Sequence, residues 1–411
     1  MSRLTTIKCS PHKHLECSKE ILKKFEQHFW IYLTHPKNQS DLVQSSTLPE
    51  GEGIIISSGG SIGGPNLCFQ TIHNLTNSAL TTGNWLKNHG LTPKECITLN
   101  SLPLHHISGF MPWWRHHIWG SQYYWISHSM MHEPVRLVKF SEALSLKYRR
   151  PLITSLVPTQ LSSLIDDSHG SKWLQSLAII WVGGASIPSD LADKARRKSI
   201  KLAPCYGSTE TAAMVTCLSP RDFLKGSNSV GFPLDDVEIK IDNHNLLKIK
   251  TNRIAISKWQ NDKCVSITDS NGWWEAGDLA QFVSLNNNNA LKILGRRDSA
   301  INSGGETIFP EDIQIKLMKM ISKYQIPIKE IFVIGVDDLK WGQRLVALIK
   351  FEEYVTNKHQ IISSLANLIK EWQPSERPLK WYDCPKLSKN INQKWELKKW
   401  QDWIELNTPM S

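Results

Sequence analysis

A chain of 411 residues with 40% hydrophobic and 21% charged side chains has a globular composition and is too long for one compact domain, so a larger and a smaller domain are expected. Its net charge of +10 suits an anionic partner, yet no zinc-finger or base-reading pattern accompanies it and the 17 Trp follow no repeat, which sets nucleic-acid binding aside. Eight scattered Cys without a CxxC pair read as reduced thiols, and no apolar run reaches about eighteen residues, so a cytoplasmic protein without stable membrane insertion is expected.

Residues 1 to about 50 are polar and resist assignment, with 33–46 reading as loop. Residues 53–56 form a short apolar strand that runs into the Gly/Ser-rich stretch 57–65, and 71–87 reads as helix. Strands are expected at 96–99, 152–157 and 177–182, the last being the clearest buried one, with a helix at 158–165. Strands alternating with helical stretches argue for an α/β core. Past Gly231 the texture changes: 237–241, 246–249 and 254–257 read as short strands of a small β subdomain, 286–289 as a turn and 291–294 as the next strand. The run 295–298 marks a domain boundary. Beyond it, 310–323 and 360–372 read as helices, 330–336 and 345–351 as strands, and the Lys- and Trp-rich 393–403 as a solvated helix.

Several clusters carry chemistry. Ser58-Gly59-Gly60-Ser61-Ile62-Gly63-Gly64-Pro65 lets backbone N–H groups approach an anion, so it reads either as a phosphate loop or as an ordinary surface loop; it lacks Walker spacing. His105 and His106, followed by Arg115, His116 and His117, form a basic patch that faces an anionic substrate or is simply a polar loop. No third clustered ligand supports zinc there. In Tyr206-Gly207-Ser208-Thr209-Glu210, Glu210 suits Mg2+ and Thr209 suits a phosphate oxygen. Asp278, closing Trp273-Trp-Glu-Ala-Gly-Asp278, accepts ribose hydroxyls or is a plain β-turn Asp. Arg296 and Arg297 suit phosphate or ribose, Gly304 and Gly305 suit a tight turn, and Lys394 can neutralise charge at a reacting centre.

In order and spacing, these segments resemble the acyl-adenylating superfamily of acyl-CoA synthetases, luciferases and peptide-synthetase adenylation domains, over residues 52 to 400. The resemblance implies a large N-terminal α/β adenylation domain with a β subdomain, residues 1–297, and a small mobile α+β C-terminal domain, residues 298–411. It assigns Ser58, Gly59, Gly60, Ser61 and Gly63 to the ATP phosphates, with Asn66 where Lys is usual. His106 gates the acyl pocket, and Gly184 lies beside adenine in Val182-Gly-Gly-Ala185. Tyr206, Gly207, Ser208 and Thr209 hold the nucleotide, and Glu210 holds Mg2+. Asp278 and Arg296 meet the ribose, Asp298 is the hinge, and Gly304 and Gly305 lie in a loop that approaches the thiol. Lys394 is the adenylation lysine, with Lys389 as the rival in a final motif that departs from the pattern.

The implied chemistry uses ATP, Mg2+ and coenzyme A. A carboxylate is adenylated, the small domain rotates near Asp298, and a thiol takes the acyl group. Among subfamilies the chain most resembles the o-succinylbenzoate–CoA ligases of menaquinone and phylloquinone synthesis, in their cyanobacterial form. That resemblance implies an aromatic dicarboxylate as small-molecule partner, with Arg115 or His116 at the spectator carboxylate. Another aryl or short acyl acid, a carrier-protein acceptor and a non-catalytic nucleotide binder stay open, as does the oligomeric state.

Overall fold

The computed structural model describes residues 3–37, 48–58, 66–260, 263–389 and 395–410. These fall into two compact units. The first holds the described residues as far as Ala276 together with Ala280–Ile293; the second holds Gly277–Leu279 and the described residues from Leu294 onward.

Three sheets build the first unit. In the largest, the strands Leu202–Ser208, Ile179–Val182, Leu152–Leu156, Ile97–Asn100 and Gln122–Trp125 lie side by side and parallel. Ala213–Cys217 and Phe232–Pro233 extend it to seven strands, each antiparallel to its neighbour. The unbroken apolar run of Ile179–Val182 is explained by burial of all its residues, as expected of a central parallel strand covered on both faces. The helices Pro134–Tyr148, Pro158–Ile165 and Ser168–Ser176 place Leu137, Leu161 and Trp173 in the core of one face. In the core of the other face, Trp181 and Ala203 join Leu247, Trp274 and Ala276 from a four-stranded sheet. That sheet runs in the order Glu238–Ile241, Leu246–Lys250, Trp274–Leu285, Asn288–Arg296. Asn286 and Asn287, at φ 52° and 62°, make the tight turn between its last two strands, with the left-handed geometry that favours Asn in hairpins.

The six-stranded third sheet corrects two expectations. Its order is Arg3–Lys8, Phe29–Thr34, Gly53–Ser58, Asn66–Thr71, Ser257–Gln260, Lys263–Val265. The N-terminal stretch that resisted assignment is therefore strand, helix His14–Phe25, strand. Leu33 and Thr34 end a buried strand and are not loop, because Trp30, Ile31 and Tyr32 pair in parallel with both neighbours. The strand expected at 254–257 is Ser257–Gln260, and it joins this sheet instead of the small β subdomain. The Asn74 side-chain amide donates to the Ile254 carbonyl at 2.9 Å and spends that carbonyl outside any ladder.

The second unit is α+β. Glu306–Ile308, Ile301–Ser303, Gly342–Phe351 and Ile328–Asp338 lie in that order across its sheet, and Lys380–Asp383 adds in parallel to Gly342–Phe351. Alternation divides the strand Ile328–Asp338 between two cores. Ile331 and Val333 pack in one core with the helices Pro310–Lys323 and Lys358–Leu368, while Phe332 and Ile334 pack with Trp400 of helix Leu397–Glu405. No helix among the described residues is long and apolar enough to cross a membrane. All eight cysteines are free thiols.

Candidate active site

Parallel strands end together at one rim of the seven-stranded sheet, where Asn100 is level with Ser155 and Leu156 with Val182. The loops leaving that rim carry His105, His106, Gly184 and Thr209. Such carboxyl ends of parallel strands are where open α/β sheets collect ligands. Gly184 turns the chain at φ +81° with only the Val157 side chain within reach of a would-be Cβ.

The turn between Leu202–Ser208 and Ala213–Cys217 is held from several sides. Gly207 passes so close to the facing strand that a Cβ would stand 2.1 Å from the Ala213 carbonyl oxygen. The Ser208 N–H donates to Thr211 Oγ1 at 3.0 Å, and Thr211 Oγ1 donates to the Ala213 carbonyl at 2.7 Å. Ala212 and Ala213 both have positive φ, 49° and 83°, a conformation that costs an alanine free energy. Three outside groups hold it. Gln70 Nε2 donates to the Thr209 carbonyl at 2.7 Å, Ser78 Oγ donates to the Ala212 carbonyl at 2.6 Å, and Arg253 Nη1 donates to the Met214 carbonyl at 2.7 Å. Arg253 is fully buried, and its charge is met by Asp236, whose carboxylate accepts from Nε at 2.7 Å and from Nη2 at 3.1 Å. Gln70, Ser78, Asp236 and Arg253 were not found by sequence reasoning. The one signal was a charged residue, Arg253, at the head of the apolar run Ile254-Ala255-Ile256.

Glu210 is buried, and Lys258 Nζ lies 2.9 Å from its Oε1. Burial opposes the Glu210 charge, but Lys258, the residue's own N–H and the Ser208 hydroxyl together hold the carboxyl below its ordinary range. Lys258 is a further residue that sequence reasoning missed. Among the described residues no three His, Cys, Asp or Glu converge on one point. Mg2+ carried by a nucleotide needs only one or two carboxylates beside phosphate and water oxygens, and the ionised Glu210 meets that demand.

His106 is exposed and stands at the N-terminus of helix Ile107–Trp119. His105 is buried, its ring centroid 4.4 Å from that of His106 and 5.3 Å from that of His35. Burial, with the two neighbouring imidazoles adding to it, pulls the His105 pKa down to about 3, so it is neutral at physiological pH. Arg115, on the same helix, is 2% exposed; its guanidinium lies over the Trp181 ring at 5.4 Å, and its Nε and Nη2 have no hydrogen-bond partner among the described residues. Burial lowers its pKa to about 10, which leaves it charged. His116 differs: its Nδ1 is engaged by the Ser121 carbonyl at 2.8 Å.

In the second unit, Asp278 and Arg296 come together at 3.8 Å, and Arg296 also grips Asp298 through Nε and Nη2, each at 3.2 Å. Asp278 lies inside the strand Trp274–Leu285 rather than at a turn. Gly277, at φ +73°, gives the room: a Cβ there would press on Arg296 Nη2 at 3.4 Å. Gly304 and Gly305 form the tight turn between Ile301–Ser303 and Glu306–Ile308, and a Cβ on Gly304 would strike the Trp341 ring at 2.5 Å. Lys389 is exposed, with its ammonium 5.2 Å from the Trp395 ring centre. Lys394, Gly59, Gly60, Ser61 and Gly63 lie outside the described residues, and of Ser58 the structure describes the strand backbone.

A clamped turn at the carboxyl rim of a parallel sheet lies where such folds collect ligands, and the chain belongs to the family of AMP-binding enzymes, which it matches over residues 12–252. Within that family it is similar to the 2-succinylbenzoate–CoA ligase of Listeria monocytogenes serovar 1/2a, 29% identical over 315 residues that make up 77% of this chain and 63% of the relative. The Escherichia coli K12 enzyme of the same name is 29% identical over 308 residues, 75% of this chain and 60% of the relative. The match thus spans about three fifths of those relatives' length. In fold, the chain resembles the Bacillus subtilis o-succinylbenzoate CoA synthetase solved with the acyl-adenylate intermediate OSB-AMP, with TM-score 0.76 and 22% identity over 98% of this chain and 88% of that one. The same enzyme solved with ATP and magnesium gives TM-score 0.69 and 21% identity over 96% and 82%.

Proposed function

We propose that the chain is an AMP-forming acid–thiol ligase acting in the cytoplasm on 2-succinylbenzoate, ATP and coenzyme A. A carboxylate oxygen attacks the α-phosphorus of ATP and diphosphate leaves. The deprotonated thiol of coenzyme A then attacks the acyl carbon, the thioester forms, and AMP leaves. The observation that carries this reading is the Tyr206–Glu210 turn, which offers Thr209 to a phosphate oxygen and the ionised Glu210 to Mg2+ in a chain of the AMP-binding family.

The other assignments follow from the same reading. Asp278 accepts the ribose hydroxyls with Arg296 beside it, Gly184 and Tyr206 border the base, and His106 borders the acyl group. Residues 1–297 bind ATP and acid. Residues 298–411 supply Lys394 for adenylation and the turn at Gly304 and Gly305 for the thiol step. The named relatives support 2-succinylbenzoate as the acid. So does Arg115, a buried cation whose Nε and Nη2 have no partner among the described residues, which suits a second carboxylate.

The test is product formation from ATP, Mg2+, coenzyme A and a panel of acids, resolved by mass. 2-Succinylbenzoyl-CoA with AMP is expected. AMP with another acid would replace the substrate, and no AMP with any acid would overturn the reaction. Lys394→Ala is expected to slow acid-dependent ATP–diphosphate exchange by about a hundredfold or more, the scale of losing one charge-stabilising donor. An unchanged rate would remove that residue's role.

A further inference from the structure

The stretch 57–65 proposed for the phosphates contains neither Lys nor Arg. Hydroxyl and N–H donors alone would then face several negative charges, unless a cation arrives from another element.

Lys258 lies on the strand Ser257–Gln260, paired with Asn66–Thr71, which directly follows that stretch; Lys258 is level with Cys68 and Trp259 with Leu67. Trp259 packs with Leu67 and Phe69 on one face of the sheet. Successive residues of a strand leave on opposite faces, so Lys258 leaves on the other, together with Cys68 and Gln70. Gln70 confirms where that face points, since its amide donates to the Thr209 carbonyl at 2.7 Å. The Lys258 ammonium reaches Glu210 at 2.9 Å; its side chain is 27% exposed, against 9% for the acid.

A buried carboxylate is costly without a counter-charge, and Lys258 supplies one when no metal is bound. A dication on the same carboxylate repels that ammonium, and the triphosphate it carries attracts it. Lysine is a compact charge on a flexible four-carbon stem, so it can turn from one anion to the other without moving the strand. We propose that Lys258 is the resident counter-ion of Glu210 and becomes a ligand of the nucleotide's phosphates when a magnesium nucleotide occupies the carboxylate. The proposal rests on the adenylating reading and adds to it a cation outside the phosphate loop.

Binding, not turnover, tests it. Mn2+ binding without nucleotide is followed by electron paramagnetic resonance, and Mg-ATP binding by calorimetry. Lys258→Met is expected to bind Mn2+ several-fold more tightly than the parent, because the competing cation is gone. It is expected to bind Mg-ATP about tenfold more weakly, the loss of a charge-assisted hydrogen bond. Lys258→Arg is expected to keep most of the Mg-ATP affinity. If Lys258 serves Glu210 alone, Lys258→Met binds Mg-ATP as the parent does; if it is not the carboxylate's counter-ion, Lys258→Met binds Mn2+ no better; either result overturns the proposal. Circular dichroism checks the fold, and Lys258→Gln serves if the Met variant does not fold. If the parent itself binds no Mg-ATP, the adenylating reading fails; if the parent binds and Lys258→Met binds equally, only the role of Lys258 fails.

Discussion

Arg115 and His105 show how single buried residues report on chemistry. Arg115 is charged, buried and short of hydrogen-bond partners at Nε and Nη2, a state that costs free energy unless an acceptor arrives. On the proposed function, Arg115→Met is expected to raise the KM for 2-succinylbenzoate about tenfold or more while leaving the KM for ATP nearly unchanged, as steady-state kinetics would read. Equal losses for both substrates would make the guanidinium a packing element. His105 gives a pH signature instead. In the unfolded chain an imidazole titrates near 6.5, whereas in the fold burial holds His105 at about 3. Below about pH 6.5 the unfolded state takes up a proton that the folded state refuses. Stability is therefore fully present above that pH and is lost as pH falls towards 3, by up to about 1.4 kcal/mol per pH unit. Urea midpoints taken between pH 7.5 and 5 should fall for the parent and fall less for His105→Gln.

At the scale of elements, the Arg253–Asp236 pair ties the turn at Ala212 and Ala213 to the four-stranded sheet's approach. Arg253→Met leaves Asp236 without the cation that meets both its oxygens, and the hydrogen bonds that Nη1 donates to Ser78 Oγ and to the Thr211 and Met214 carbonyls are lost with it. A cost of about 3–5 kcal/mol in urea unfolding is expected for breaking such a buried pair. A loss below about 1 kcal/mol would mean that water replaces the guanidinium. Elements whose pattern is local were legible in the sequence: the helix Pro310–Lys323 and the strands Ile179–Val182 and Leu152–Leu156 lie where periodicity puts them. Phe29–Thr34 was not legible, because its polar flanks diluted the signal and its pairing partners, Arg3–Lys8 before it and Gly53–Ser58 after it, are separated from it along the chain. Ser257–Gln260 was assigned to the wrong sheet for the same kind of reason: its partner strand begins at Asn66.

At the scale of the molecule, the order of motifs was enough to place the chain in its family, and local sequence marked Tyr206–Glu210, Asp278 and Arg296. What supports them was hidden. Gln70, Lys258 and Arg253 carry no motif, and their roles arise only when two sheets of the first unit bring distant segments face to face. Residue types tell which groups are reactive, and topology alone tells which groups hold them still.

The wide sequence spacing of these supports also sets a timetable. Gln70 and Thr209 are 139 residues apart, and Asn74 waits for Ile254, 180 residues later. Contacts of such span close late, after local helices and hairpins. On refolding from urea, far-ultraviolet dichroism should therefore recover before Mg-ATP binding does; a single shared rate would put the turn inside the folding nucleus. During synthesis, at about 5–20 residues per second, the first half of the clamp is left open for roughly ten to forty seconds before its other half has been made.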